Sequence, residues 1–350
     1  MVRRPYRAAP RGGEFALIDR FTRGLPLGGE GVLLGVGDDA ALLRPPPGAD
    51  LAATVDAVVE GVHFDARFSA EDVGWKALAV NLSDLAAMGA RPLWALVALA
   101  LPRGTPAARV AGIARGLGAC ARRHRIAVAG GNVSRASELS LTVAVVGAVE
   151  PGAALTRAGA SPGDLLAVSG TIGDAALGLV PGAPAALVRR QRRPVPRLAL
   201  GAALAGVASA AIDLSDGLVA DLAHLCDASG AGALVDAAAL PRSAAYRRAV
   251  AGRDDPWAPA LGGGEDYELL AAIPPTRLPE ALAEARAART PLTVIGRLVR
   301  GRGVRVVDPD GRELPLPPGH DHLRAPATSL TSQGGRLGSS RRRRPARRPS

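Results

Sequence analysis

The chain is short of most residues that mark a special environment. Its 350 residues include two cysteines and one lysine, and aromatics make up 3%. Cys120 and Cys226 stand apart, each inside an apolar helical pattern. Two isolated thiols support neither a disulfide framework nor a zinc site, and point to buried thiols in a reducing cytoplasm. The N-terminus lacks the apolar stretch of a signal peptide, and the longest apolar run, Leu93 to Leu101, is far short of the ~20 residues that span a bilayer. The expectation is a soluble, cytoplasmic protein without a membrane partner. The lone lysine, Lys76, is not in a Gly-x-x-x-x-Gly-Lys-Ser/Thr frame, which excludes a Walker-type P-loop.

Basic charge is plentiful in total but scarce in the body of the chain. The formal net charge is +11, from 43 basic and 32 acidic residues. Residues 1–13 hold four arginines and no acid, and residues 336–350 hold seven arginines and no acid, so residues 14–335 are neutral. The Pro/Gly/Arg-rich head (1–12) and the tail (326–350) have little to bury and read as disordered appendages. Nucleic-acid binding is therefore expected only non-specifically, through these ends.

Hydrophobic residues make up 48% of the chain, ample for two cores, and are mostly Ala, Leu and Val. Helices are therefore expected to pack closely through small side chains. The periodicity predicts a short helix at 14–21, a strand at 51–55, a helix at 71–88, a strand at 93–101 and a helix at 106–124. A strand at 126–129 ends in a Gly130-Gly131 turn, and another strand covers 139–149. Pro151 and Gly152 break the pattern. The second half offers strands at 164–169, 266–273 and 292–295, and helices from 173, at 195–204 and at 278–288. It also holds a strand-turn-helix at 211–228 and a hairpin turning at Asp308-Pro-Asp-Gly311. Strands alternating with helices give an α/β (α+β) two-domain class, with domains at 13–150 and 151–325.

The informative charges are acids at turns and strand ends. Gly35-Val-Gly37-Asp38-Asp39 opens like a nucleotide-binding turn, yet two carboxylates stand where pyrophosphate would sit, so a phosphate here needs an intervening cation. Asp56 ends a strand, and Asp213 and Asp216 bracket the turn of Ile212-Asp-Leu-Ser-Asp-Gly217. Asp84 lies mid-helix beside Leu78, Leu82, Leu85 and Met88, where an unpaired buried carboxylate costs several kcal/mol. Each has a structural reading as an N-cap or salt-bridge partner. Between residues 31 and 66, however, Arg44 is the one arginine, and such acids suit a hard divalent cation, Mg²⁺ first. Gly130-Gly131-Asn132 follows a strand, where backbone N–H groups suit a phosphate and the Asn132 amide oxygen a metal; ordinary turns carry the same residues. Glu265 and Asp266 precede a strand at an end where substrates meet α/β sheets. His63, taken alone, is more often structural.

Collinear segments resemble the thiamine-monophosphate kinase family of the aminoimidazole-ribonucleotide-synthetase-like superfamily. They are Gly13-Glu-Phe-Ala-Leu-Ile18, Gly37-Asp-Asp-Ala-Ala-Leu42, Val62-His-Phe64, Lys76 through Ala90, Thr156-Arg-Ala-Gly-Ala160, Ala211 through Leu218 and Gly263-Gly-Glu-Asp-Tyr-Glu-Leu269. The resemblance covers about residues 13–324. It implies an aminoimidazole-ribonucleotide-synthetase-like fold with an N-terminal ATP- and metal-binding, dimerising domain. It further implies ATP-dependent phosphorylation of thiamine monophosphate to the diphosphate in a homodimer, by direct in-line transfer. By the same resemblance Asp39, Thr54, the Val55 carbonyl, Asp56, Asp84, Asn132, Asp213 and Asp216 surround several Mg²⁺ ions. Gly131, Asn132, Arg157 and Ser215 would contact ATP, and His63 and Glu265 the thiamine phosphate.

Three departures from the family pattern stand out. Asn132 replaces an Asp, which predicts weaker metal affinity. The aromatic usually near the C-terminus is absent from Leu316 to His322, leaving His320 as a substitute. The Ser/Thr-Thr-Asp pattern reads Thr54-Val55-Asp56, which works only if the middle residue ligates through its backbone. These departures keep a second reading open, a nucleotide-binding homologue that has lost turnover.

Overall fold

Period-two patterning builds the first of two main sheets. The computed structural model describes residues 14–317; the head, the tail and His320 lie outside them. After α1 (Glu14–Thr22) and a ribbon of β1 (Val32–Leu34) and β2 (Leu42–Leu43) come β3 (Asp50–Val59), α2 (Ala70–Ala87), β4 (Arg91–Leu101), α3 (Ala107–His124), β5 (Ala127–Arg135) and β6 (Ser140–Val149). The four long strands form a sheet in the order β3-β6-β4-β5, antiparallel except for the β4–β5 pair. Val97, Leu99, Val143 and Val145 are buried against the helices. Leu51, Val55 and Leu96, on the other face by alternation, are 48%, 64% and 42% exposed. The helices cover one side of this sheet, and the β1–β2 ribbon covers only the end of the other, over Trp94, Ala127 and Ala129.

Helix α2 is the hub. The Ser69 hydroxyl accepts the Asp72 N–H at its start, and Glu71 and Asp72 suit the positive end of the dipole. It packs against α3, the first sheet and elements of the second half, so it is apolar nearly all round, as a buried helix must be. The close contacts need missing side chains. A Cβ on Gly74 would stand 2.0 Å from the Ile113 carbonyl oxygen, and one on Gly116 1.9 Å from that of Glu71. Small residues do bring the helices together, as the Ala-rich composition predicts.

The second half supplies β7 (Leu165–Ser169), α4 (Asp174–Gly178), α5 (Ala185–Arg192), α6 (Leu198–Leu204), β8 (Ala210–Asp213), α7 (Leu218–Ser229), β9 (Gly232–Asp236), α8 (Ala244–Val250), α9 (Ala258–Gly262), β10 (Leu269–Ile273), α10 (Leu278–Ala287), β11 (Leu292–Val299) and β12 (Gly303–Val307). Its six strands run in the order β12-β9-β11-β7-β10-β8, with β9–β12 the parallel pair. Both faces are covered. Leu166, Val168 and Ile212 enter one core, while Ala167, Ala211 and Leu269 enter another with residues of α6 and α10. Tyr267 reaches from this half into the first core, so the described residues pack as one unit.

The structure corrects several boundaries. Gly130 and Gly131 are not a turn but lie within β5, because Gly131 pairs with Val97 so closely that a Cβ would stand 1.9 Å from the Val97 carbonyl oxygen. The first long strand extends to Val59. Helices α5 and α8 and strand β9 have no counterpart in the pattern reading, being short and lacking a full amphipathic period. At Asp308–Gly311 the turn exists, but the returning arm is a single bridge, Val307 to Glu313. No helix among the described residues is long and apolar enough to cross a membrane. Both cysteines are buried, and burial pushes the Cys226 thiol up to about 11.

Candidate functional site

The acids of the two halves meet along α2. Thr54, on β3, donates its hydroxyl to Asp84 Oδ2 at 2.6 Å. One residue back on the helix, Ser83 donates to Asp213 Oδ2 at 2.7 Å, which joins α2 to the end of β8. Burial raises the Asp84 carboxyl above the usual carboxylate range, with the nearby Asp56 adding to the rise. Burial, then the charge of Asp84, pushes Asp213 up to about 7. Asp221, one turn into α7, accepts the N–H groups of Asp216 and Gly217, each at 3.1 Å. It too is pushed up to about 7, by burial and then by Asp213 and Asp216. Arg157 is the cation whose field partly offsets Asp84 and Asp213.

A second set of residues adjoins the first. Glu265 follows Gly264, and its N–H donates to the Ser215 carbonyl at 2.7 Å. Its backbone is left-handed, with φ 59°, as is that of Tyr267 with φ 50°; non-glycine residues hold such angles only where surrounding contacts enforce them. The Glu265 carboxylate is engaged on both oxygens, by the Lys76 ammonium at 2.6 Å and by the Gln191 amide at 3.1 Å. His63 lies on the turn after β3. Its Nδ1 accepts the Val59 N–H at 3.1 Å, so the neutral ring carries its proton on Nε2. The Tyr267 hydroxyl is pushed well up by burial and by Glu265, Asp56, Asp213 and Asp84, which places it in the field of both sets.

Of the residues singled out from sequence, Thr54, Asp56, Asp84, Arg157, Asp213 and Asp216 thus share one electrostatic neighbourhood, and Ser215, Glu265 and His63 border it. Val55 is exposed on the open face of the sheet. The others stand apart. Asp39 is on an exposed loop, its N–H turned back to the Asp38 carboxylate at 2.9 Å. Gly131 is in register with Asp56 through Val143 and Val97, but three strand spacings away, about 14 Å. Asn132, beside it and exposed, edges a small cleft with Ile18, Phe21, Val36 and Val97. Lys76, Gln191 and Asp221 were not identified as site residues from the sequence; for Lys76 the signal was its being the one lysine in the chain.

Among the described residues no three His, Cys, Asp or Glu side chains close into a ready-made metal cage. The donor set is nonetheless all oxygen and in excess of cations. It fits Mg²⁺, which usually takes one or two carboxylates and completes its shell with water and substrate phosphates.

The chain resembles known proteins over most of its length. Family models described as AIR synthase related protein, N-terminal domain and C-terminal domain match residues 37–149 and 161–309. A thiamine-monophosphate kinase of Escherichia coli (strain K12) is 40% identical over 326 residues, 90% of this chain and 99% of its own. The crystal structure of a thiamine-monophosphate kinase from Stenotrophomonas maltophilia K279a superposes with a TM-score of 0.77 at 44% identity, covering 86% of this chain and 98% of its own. The structure of AaThiL complexed with AMPPCP and TMP superposes with a TM-score of 0.71 at 33% identity, covering 89% and 97%.

Proposed function

The chain belongs to the AIR synthase related protein family, and from that premise we propose that it transfers the γ-phosphoryl group of ATP to thiamine monophosphate, giving thiamine diphosphate and ADP. Relatives at 40% identity over most of both chains are thiamine-monophosphate kinases, and a similar structure was solved with AMPPCP and TMP. The observation that carries the reading is the convergence of Asp56, Asp84, Asp213 and Asp216 from both halves with little protein cation to balance them.

Both reactants are anionic, so this chain's task is to bring phosphates together, orient them and exclude water. Gly131, Asn132, Arg157 and Ser215 are assigned to ATP, and His63 and Glu265 to the acceptor. Arg157 holds positive charge beside the acids. Asp39, Thr54, the Val55 carbonyl, Asp56, Asp84, Asn132, Asp213 and Asp216 would hold several Mg²⁺ ions. Bound there, Mg²⁺ supplies the charge neutralisation that this transfer requires. The transfer is read as direct and in-line, as the family resemblance implies.

The reading extends to the assembly. Leu51, Val55 and Leu96 make the open part of the first sheet's second face apolar, which supports a homodimer formed through it. The two family-model matches support a division near residue 150 into a nucleotide- and metal-binding half and a C-terminal half. Two buried free thiols suit a reducing cytoplasm. Asn132, where the family pattern has an acid, favours the second reading of a homologue that binds nucleotide without turnover. One experiment separates the two: purified protein with ATP, Mg²⁺ and thiamine monophosphate, assayed for ADP and thiamine diphosphate by chromatography. Product formation is expected; ATP binding by calorimetry with no product at any Mg²⁺ concentration would establish the second reading instead.

A further inference from the structure

Lys76 is the single lysine among 43 basic residues, and its side chain is 1% exposed. Its ammonium has three protons and three directions for them. It donates to Glu265 Oε1 at 2.6 Å and to the His63 carbonyl oxygen at 2.9 Å, and it stands 5.4 Å from the centre of the Phe68 ring. A compact ammonium can serve three converging acceptors, whereas a planar guanidinium cannot. Arginine fills every other Lys/Arg position of this chain, whereas the three-way convergence here suits the ammonium of lysine.

The two oxygens belong to different halves of the chain. His63 is on the turn that follows β3, and Glu265 is on the loop leading to β10. Glu265 is otherwise poorly placed to hold itself, because its backbone is left-handed at φ 59° and its second oxygen has only the Gln191 amide at 3.1 Å. The α2 face adds a spacing. Lys76 and Asp84 are eight residues apart, about 12 Å along the axis, and lie on one side of the helix. One helix therefore carries the clamp for the acceptor loops at one end and a metal-binding acid at the other.

A purely structural role is a poor account of this lysine. Burying an ion pair is expensive, and well-packed apolar groups commonly replace one at no loss of stability. What an ion pair adds is fixed geometry. Resting on the acceptor assignment of His63 and Glu265 above, we infer that Lys76 is a positioning residue that locks both against thiamine monophosphate and sets its affinity without touching ATP.

The test is steady-state kinetics of the full chain, varying each substrate at saturation of the other, in Lys76→Met, Lys76→Arg, Glu265→Gln and the Met/Gln double variant. Lys76→Met is expected to raise the KM for thiamine monophosphate about 10-fold or more while the KM for ATP stays within about 2-fold. The double variant should be no worse than the poorer single variant, since both changes remove one linkage. Lys76→Arg, which keeps the charge but not the three-way convergence, should recover the melting temperature and not the KM. If Lys76→Met does not fold, Lys76→Arg and Glu265→Gln carry the comparison. A wild-type KM for thiamine monophosphate in either Lys76 variant, parallel rises for both substrates, or additive losses in the double variant would overturn the inference. Failure of the unaltered protein to phosphorylate thiamine monophosphate would overturn the proposed function instead.

Discussion

Glu268 and Asp213 stand at the same end of the second sheet, both buried, and differ in what surrounds them. Glu268 is fully enclosed, and Arg190 and Arg197 each donate to it at 2.6 Å, with Ser169 completing its shell. Asp213 has Ser83 and faces Asp84. The first carboxylate is neutralised by its own chain; the second is left in need of a cation. A buried charge with protein partners holds the fold, whereas a buried charge without them marks a place where charge must arrive from outside.

The sharpest test of this contrast is Asp84→Asn. It should lower turnover by about 10³-fold or more, by analogy with the loss of a group that stabilises transition-state charge, while the melting temperature of the metal-free protein holds or rises because a repulsion is removed. A variant that unfolds but retains activity when folded would put Asp84 in the same class as Glu268. Glu268→Gln should do the reverse. Leaving two arginines with an uncharged partner in a buried site should cost about 3–5 kcal/mol of stability, read as a shifted urea midpoint, with kcat changed far less than by Asp84→Asn.

The unbalanced acids also make stability depend on pH. Asp213 and Asp221 are each pushed up to about 7 in the folded chain, from the ordinary carboxylate value near 4. Between those values the folded state holds protons that the unfolded state has lost. The contribution to stability is therefore complete at low pH and disappears as the pH rises through 7. In EDTA the melting temperature should be lower at pH 8.5 than at pH 5.5, and Mg²⁺ should restore more of it at the higher pH. The smallest effect is expected at the edge of the first sheet. Asn132→Asp should lower the Mg²⁺ concentration for half-maximal rate a few-fold; an unchanged value would remove Asn132 from the metal set.

Much of this contrast was legible in the sequence, and its limits are physical. Asp84 was conspicuous because helical spacing placed a carboxylate among leucines, and Asp213 and Asp216 because they bracket a glycine-containing turn. Gly130-Gly131 misled, since glycine pairs signal turns and here one of them instead admits the Val97 carbonyl at close range. Glu268 was indistinguishable from its neighbours in Glu-Asp-Tyr-Glu, because Arg190 and Arg197 lie more than 70 residues away. Lys76 stood out for the P-loop it does not make and as the start of a family-like segment, but its partners are 13 and 189 residues distant.

By itself the sequence determined the neutral body between arginine-rich ends, the alternation of strands and helices, and the few acids set in apolar surroundings, because these are matters of composition and local period. Only the tertiary structure decided which acids are satisfied and which are not. Compensation of a buried charge depends on groups within a few ångströms, and in this fold α2 brings those groups together from both halves of the chain.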